Sequence, residues 1–260
     1  MNVKKWLRGL CAAVLCVAYV GTAGAAELQK VPTAWMGAQE TFPIWYAKQK
    51  GWDKEVGLDV ELLYFSSGMD ALSTLPAKTW VFGGMGAIPA LMGALRHDTY
   101  VIANCNDEAM VNAVMVRPDS PIMQTKGYNK SYPNVYGTPE SVKGKTVLCT
   151  TVSSAHFALS SWLKALGLTE KDVTIKNMDQ ASALAAFEYG IGDIVTLWAP
   201  LTYVGEKRGW KGLSDCRQLP GLRHPPAYSS AGRPRVRRQE PRSHREVPEH
   251  LHARHRHDEE

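Results

Sequence analysis

Apolar and polar positions along the chain follow two repeating patterns, one typical of strands and one typical of helices. Continuously apolar or alternating runs predict strands, and runs with apolar residues every three or four positions predict helices. The clearest pair is an apolar strand predicted at 145–151 and a helix predicted at 154–166. Leu159, Trp162 and Leu163 fall on one face of that helix. A strand that leads directly into an amphipathic helix is therefore the predicted local unit.

The same patterns predict alternating strands and helices between residues 28 and 211. Strands are predicted at 28–36, 58–65, 79–84, 100–105, 112–117, 145–151, 173–178 and 194–198. Helices are predicted at 41–51, 68–77, 87–97, 154–166 and 180–190. Repeated strand–helix alternation is typical of parallel sheets covered by helices on both faces, so the predicted fold class is α/β. The polar, Tyr-rich stretch 127–137 interrupts the alternation and is predicted to be a surface loop.

The first 26 residues have the three parts of an export signal. Lys4, Lys5 and Arg8 precede an apolar run at 10–21 that is too short to span a bilayer. Small residues at 23–26 then supply a cleavage site. We therefore expect residues 1–26 to be a signal peptide and the mature chain to be periplasmic.

The net charge of +5 comes from the two ends of the chain. Residues 27–216 hold 17 basic and 19 acidic residues, whereas residues 217–260 hold ten Arg against six acids. A nearly neutral body gives no indication of a nucleic-acid partner.

Three cysteines remain after the signal peptide, namely Cys105, Cys149 and Cys216. An odd number excludes a fully paired framework, although export would permit one disulfide. We expect Cys105 and Cys149, at the ends of different strands, to be small buried residues. Their spacing does not match a zinc site.

Chemically unusual residues gather at four predicted strand ends, where ligands bind in open α/β sheets. They are Gln39, Glu40 and Thr41, then Gly84 and Met85, then Thr150, Thr151, Ser153 and Ser154, and lastly Trp198. Helix N-termini and hydroxyls donate hydrogen bonds to anions, and Trp198 would add a flat apolar wall. The set therefore predicts a site for a small molecule with an anionic, oxygen-rich head.

Plainer roles for these residues stay open. Ser153 or Ser154 could simply cap a helix, and the glycines at 83–86 could simply let a helix pack on the sheet. Glu40 suits a helix start, but it could instead pair with an amine on the ligand.

No catalytic arrangement is evident in the sequence. The Gly-x-Ser-x-Gly motif is absent, and His97 and His156 are the only histidines between residues 27 and 211. We therefore predict no catalytic residues, no metal ligands and no cofactor, and a protein that is not an enzyme.

Several motifs in order resemble one family. They are "FPIWYAKQKGWDKEVGLDVEL", "GGMGAIPALMGAL", "VMVRPDSPI", "SVKGKTVLCTTVSSAHFALSSWLKALGL" and "ALAAFEYGIGDIVTLWAP". They look like the taurine, alkanesulfonate and nitrate type of substrate-binding protein from ABC importers. The loop at 127–137 departs from this pattern.

The resemblance implies a two-lobed, type II-like periplasmic binding protein that clamps its ligand between the lobes. Residues 27–104 would form the first lobe and 105–211 the second. It implies a monomer that delivers a small anionic solute, such as a sulfonate or nitrate, to the membrane permease of an ABC importer. A ligand-binding sensor domain and an enzyme of the pyrimidine-precursor type on the same fold remain alternatives.

The segment 212–260 breaks with this pattern, because it is rich in Arg, Pro and His and contains no Lys. It could be a basic tail, a metal-binding tract through His250, His252, His255 and His257, or a different reading frame of a GC-rich gene. We favour the third, since a shift of one nucleotide can restore an amphipathic helix. The segment is then predicted to be disordered and to leave the C-terminal part of the first lobe missing. Sequencing the DNA tests this.

Overall fold

The computed structural model describes residues 27–214, Leu219 and the backbone of 230–232. The predicted signal peptide, Cys216 and most of the segment 212–260 therefore lie outside the described residues. No helix in the described part of the chain is long and apolar enough to cross a membrane.

Helices and strands alternate through most of the described chain. The helices are α1 (Phe42–Lys50), α2 (Trp52–Glu55), α3 (Gly68–Ser73), α4 (Ala87–His97), α5 (Pro139–Val142), α6 (Ser154–Ala165), α7 (Gln180–Glu188) and α8 (Leu201–Lys207). The strands are β1 (Gln29–Met36), β2 (Leu58–Phe65), β3 (Phe82–Gly84), β4 (Tyr100–Val101), β5 (Asn112–Val116), β6 (Thr146–Cys149), β7 (Thr174–Asn177), β8 (Ile194–Trp198), β9 (Lys211–Gly212) and β10 (Ser230–Gly232).

The strands form two sheets, which follow each other along the chain except that β10 belongs to the first sheet. The first sheet has the order β2-β1-β3-β10-β4, and the second has the order β7-β6-β8-β5-β9. Strand β1 runs parallel to β2 over its full length, from Gln29 opposite Leu58 to Met36 opposite Phe65. Strand β5 pairs antiparallel with both β8 and β9. Both sheets are therefore mixed rather than wholly parallel, because a strand that returns from one sheet to the other reverses its direction.

One short strand of the first sheet comes from beyond residue 212. Strand β10 lies between β3 and β4 and pairs antiparallel with both, with Ala231 opposite Gly83 and Val101. A strand needs main-chain hydrogen bonds rather than a particular side chain, so three small residues suffice. Strands β3 and β4 are also shorter than predicted from 79–84 and 100–105.

The second sheet has an apolar core on each face, because successive side chains of a strand point to opposite sides. Val114 and Val147 pack with Trp162 of α6 on one face, where they form the largest buried cluster. Met115 and Leu148 pack with residues of α7 on the other face. Helices thus cover both faces of this sheet, as the alternation of the sequence predicts.

The core of the first sheet is smaller. Ala34 and Met36 of β1 pack with Leu72 of α3, with Trp80 and with Met85. Helix α1 contributes no buried residue. Large exposed apolar side chains instead gather on α1 and α2, where Phe42 is 60% exposed, Trp45 42% and Trp52 51%.

The Tyr-rich loop at 127–137 lies on helix α6. Trp162 Nε1 donates a 3.0 Å hydrogen bond to Tyr136 O, and Asn129 Nδ2 donates one of 2.8 Å to Ala165 O. Val135 is buried in the cluster on that face of the second sheet. The loop lies at the surface, as predicted, but it also covers the end of α6.

The two described cysteines differ in their environment. Cys149 is buried and Cys105 is exposed, and they form no disulfide with each other. The expectation of burial is therefore wrong for Cys105. Strand β4 ends at Val101, so Cys105 lies on the connection beyond the sheet rather than at a strand end.

Candidate functional site

A cleft lies between the two sheets, beside the segment that joins β4 to β5. It is lined by Met36, Glu40, Gly68, Gly86, Pro89, Glu108, Val111, Asn112, Ser153, Ser154, Trp198 and Ala199. The lining combines the turn after β1 and the start of α4 with the start of α6 and the end of β8. Ends of strands from both sheets therefore meet at this cleft, where a bound molecule would contact both halves.

Glu40 sits in a short 3-10 turn at Gln39–Thr41, directly after β1. Thr41 Oγ1 closes the turn by donating a 2.6 Å hydrogen bond to Met36 O. Glu40 is only 8% exposed. Burial, with a smaller effect of the Glu108 charge, raises the pKa of Glu40 from its ordinary 4.5 to about 7, against the lowering effect of its own backbone N–H. The turn thus holds a carboxyl group that is partly protonated near neutral pH.

Glu108 contributes the second carboxylate of the cleft, from a 3-10 turn at Glu108–Met110. Its Oε2 accepts a 3.0 Å hydrogen bond from Ala87 N at the start of α4 and a 2.6 Å bond from Ser154 Oγ at the start of α6. Burial raises the pKa of Glu108, and these two bonds lower it in part. One side chain on the connecting segment therefore joins elements of both sheets.

Gly86 allows this arrangement by having no side chain. A Cβ at this position would lie 2.5 Å from Ser154 Oγ and 3.0 Å from Glu108 Oε1. Both distances are shorter than an ordinary van der Waals contact. Of the glycines predicted to help a helix pack on the sheet, Gly86 is therefore the one that the cleft requires.

Ser153 and Ser154 both line the cleft, but each hydroxyl hydrogen is used within the protein. Ser153 Oγ caps α6 by accepting from His156 N, and it donates a 2.6 Å bond to Thr150 O. Ser154 Oγ donates to Glu108, as described above. The predicted donation of these hydroxyls to an oxyanion would thus require the present hydrogen bonds to break.

Trp198 lies at the end of β8 and lines the cleft, as the sequence predicts. A buried amide holds its backbone, because Trp198 N donates a 2.9 Å hydrogen bond to Gln180 Oε1. Gln180 Nε2 donates in turn to Thr150 Oγ1 and to Thr196 O. The start of α7 therefore fixes the end of β8.

The other predicted residues do not line this cleft. Gln39 borders a neighbouring hollow with Tyr203, and Thr151 borders another with Asp179. The Thr150 hydroxyl donates to Met178 O, so it ties two strand ends together. Gly84 pairs with Ser230 within the first sheet, and Met85 is fully buried in that sheet's core.

Glu108, Asn112 and Pro89 also line the cleft, although the sequence pattern did not predict them. Glu108 lies in an irregular stretch between two strands, where no periodic pattern marks it. The burial of Glu108 depends on contacts with both halves of the fold, so it can be recognised only from the structure.

The charge of the cleft is one-sided. Glu40 and Glu108 are its charged residues, and among the described residues that line it there is no Lys, Arg or His. Elsewhere in the described part of the chain, no three His, Cys, Asp or Glu residues are grouped closely enough to hold a metal ion.

Comparison with known proteins identifies the family. A family model described as NMT1/THI5 like matches residues 38–208, more than half of the chain. The chain belongs to the NMT1/THI5-like family. The match covers the lining residues from Glu40 to Ala199.

Curated relatives of this family member are binding proteins. An ABC transporter periplasmic binding protein of Brachyspira hyodysenteriae is 28% identical over 199 residues, which are 76% of this chain and 57% of the relative. The taurine-binding periplasmic protein of Escherichia coli is 26% identical over 171 residues, covering 64% of this chain and 47% of that protein. The chain thus spans about half the length of these relatives.

Solved structures agree on the fold. The alkanesulfonate-binding protein of Xanthomonas axonopodis pv. citri bound to MOPS has a TM-score of 0.64 at 20% identity, covering 80% of this chain and 66% of that one. The periplasmic nitrate-binding protein of Synechocystis PCC 6803 has a TM-score of 0.61 at 14% identity, covering 79% and 55%. The family member therefore has the periplasmic binding protein fold, as the sequence analysis expected.

Proposed function

We propose that the chain is the solute-binding component of an ABC importer and that the cleft between its two sheets holds a small organic solute. The observation that carries this proposal is the cleft itself, which is lined by residues from both sheets. Small-molecule sites commonly lie where two halves of a fold meet. Curated relatives named as binding proteins for taurine and for other ABC importer solutes support the same role.

The proposed site comprises Glu40, Glu108, Ser154 and Trp198. Glu108 and Ser154 connect the two halves, and a solute placed between them would contact both. We further propose a periplasmic location, delivery to a membrane permease by hinge closure, and a monomeric state. If the protein is a monomer, it should elute in gel filtration at the mass of one chain.

A binding screen tests the proposed function. The purified chain is heated with small sulfonates, nitrate, carboxylates and amines, and a ligand at 100 times its Kd should stabilise it by about 2.7 kcal/mol. Titration calorimetry on each hit gives the Kd, and NMR spectra of the recovered solute should show no product. Trp198→Ala should abolish the shift, whereas Tyr189→Ala, at an exposed position outside the cleft, should leave it intact.

Two results contradict the proposal. The formation of a new compound from a bound solute would favour an enzyme over a carrier. A ligand whose binding is unaffected by Trp198→Ala would place the site elsewhere in the chain.

A further inference from the structure

The turn between β6 and α6 contains a residue in an unfavourable backbone conformation. Val152 has a φ of 53°, which lies in the left-handed region that β-branched residues rarely adopt. Such a conformation persists only where the surrounding groups hold it in place. Ser153 and Ser154 follow directly and line the cleft. The groups that hold Val152 therefore also position these two serines.

Hydrogen bonds to side chains hold the turn on both sides of Val152. Val152 N donates a 3.1 Å hydrogen bond to His156 Nδ1, and Thr151 N donates one of 2.9 Å to Asn177 Oδ1. His156 N donates a 3.1 Å bond to Ser153 Oγ. His156 thus contacts the turn twice, once through its ring and once through its backbone.

The hydrogen bond from Val152 determines which ring nitrogen of His156 carries the hydrogen. An imidazole nitrogen accepts a hydrogen bond only when it is unprotonated, so the hydrogen of the neutral ring is on Nε2. This nitrogen lies 3.2 Å from Glu170 Oε1. A second proton on the ring would bind at Nδ1, directly opposite the N–H of Val152. Protonation of His156 therefore breaks the hydrogen bond that its ring makes to the turn.

Glu170 is the charged group that faces the His156 ring, from a short 3-10 turn after α6. Among the residues that the structure describes, no other charged side chain is within ion-pair distance of the ring. Residues 150–155 and 157–163 carry no charged side chain. The nearby N-terminus of α6 disfavours a positive charge, whereas Glu170 favours one. The ring therefore has a neutral state bonded to the turn and a protonated state paired with Glu170.

We propose that His156 is a pH-sensitive positioning residue for the cleft. Its neutral ring holds the turn at 150–154 so that Ser154 reaches Glu108, and protonation of the ring releases the turn. Ser154 Oγ donates a 2.6 Å hydrogen bond to Glu108 Oε2, so a shift at the start of α6 weakens a contact between the two halves. The effect on the turn stands alone, whereas its effect on solute affinity rests on the proposed function.

NMR on the full chain without solute tests the effect on the turn. A coupling across the N–H···N hydrogen bond between Val152 N and His156 Nδ1 should be present at pH 8 and absent at pH 5, where histidine side chains are protonated. The protection of the Val152 amide against hydrogen exchange, corrected for the intrinsic rate at each pH, should fall over the same range. His97→Asn, at the other histidine of the described residues, should leave both responses intact.

Binding of ethanesulfonate, whose charge is constant between pH 5 and pH 8, tests the effect on the cleft. His156→Asn keeps an acceptor oxygen near the position of Nδ1 but does not titrate. It should match the Kd of the unaltered chain at pH 8 and bind about fivefold more tightly than that chain at pH 5, the difference that one hydrogen bond makes. His156→Leu, without an acceptor, should bind weakly at both pH values. Glu40 and Glu108 titrate in every one of these chains, so their effect cancels in the comparison.

The two measurements separate the inference from the proposed function. A neutral His156 ring with its hydrogen on Nδ1, or the same pH response in His156→Asn as in the unaltered chain, overturns the inference and leaves the proposed function standing. Failure of the unaltered chain to bind ethanesulfonate counts against the proposed function, and the NMR measurement then decides the inference. If His156→Leu fails to fold, His156→Asn and the unaltered chain decide in its place.

Discussion

Ser154 Oγ donates a 2.6 Å hydrogen bond to Glu108 Oε2, and so connects the start of α6 to the segment that joins the two sheets. Glu108 Oε2 also accepts a hydrogen bond from Ala87 N at the start of α4. Three elements around the cleft thus depend on one carboxylate. The neighbouring Ser153 caps the N-terminus of α6. The two adjacent serines therefore have different roles.

Single substitutions of the two serines should separate these roles. Ser153→Ala should lower the free energy of unfolding by about 1 kcal/mol, because α6 loses its N-terminal cap. Ser154→Ala should weaken solute binding by about 1 kcal/mol, because Glu108 loses a donor. The double variant should combine both losses. Urea unfolding and titration calorimetry measure them.

Ser131→Ala, at an exposed loop position, is the matched control for both measurements. An unchanged Kd in the Ser154→Ala variant would contradict a role for this serine in the cleft.

Gly86→Ala should weaken solute binding in the cleft more than it lowers the stability of the fold. The added Cβ would meet Ser154 Oγ at 2.5 Å and Glu108 Oε1 at 3.0 Å, so the Ser154–Glu108 contact must open. We expect solute affinity to fall by about tenfold or more, which is about 1.4 kcal/mol. Gly212→Ala, where no atom lies within 4 Å of the added Cβ, should bind normally. A Gly86→Ala variant with the affinity of the unaltered chain would show that the contact is unnecessary.

The regular elements were predictable because their patterns are local. Strand β2 and helix α4 have the predicted bounds, since an apolar alternation and an amphipathic run each end at a clear turn residue. Strand β3 was predicted too long, and one of its two partners, β10, lies more than a hundred residues later in the chain. Sequence alone cannot supply such a distant partner.

The cleft was predictable only in part, for a related reason. Trp198 and Glu40 follow strands directly, so the rule that ligands bind at strand ends finds them. Met85 follows a strand equally closely and yet is buried in the core, because its side chain points away from the cleft. Glu108 follows no strand, and its importance comes from two distant helix starts.

Glu40 should make the stability of the unliganded protein depend on pH in an unusual direction. Burial raises its pKa from 4.5 to about 7, so the folded protein holds a proton between these values that the unfolded chain has lost. The free energy of unfolding should therefore fall as the pH rises from 4.5 to 7, by on the order of 2–3 kcal/mol.

Glu40→Gln should remove most of this decline in a series of thermal or urea melts. The exposed Glu61→Gln should retain it. A stability that rises over the same pH range in the unaltered protein, and that this substitution leaves unchanged, would contradict the assignment.

The aromatic cluster on α1 and α2 should bind apolar probes. Phe42 and Tyr46 stack with ring centroids 5.8 Å apart, and the ring of Trp52 meets Tyr46 edge-on at the same distance. Exposed apolar surface of this kind binds dyes and favours association. Replacing Phe42 and Trp52 by Ser should reduce ANS fluorescence and light scattering. Tyr189→Ser, an exposed aromatic residue on the second half, should reduce neither.

Strand β10 has a consequence for the order in which the protein assembles. Strands β3 and β4 are adjacent to β10 and not to each other, so the first sheet is completed only by residues 230–232. All residues of the second sheet are therefore synthesised before the first sheet can close. The earliest half to be synthesised is the last to finish, and an assembling chain carries an open pair of strand edges until residues 230–232 arrive.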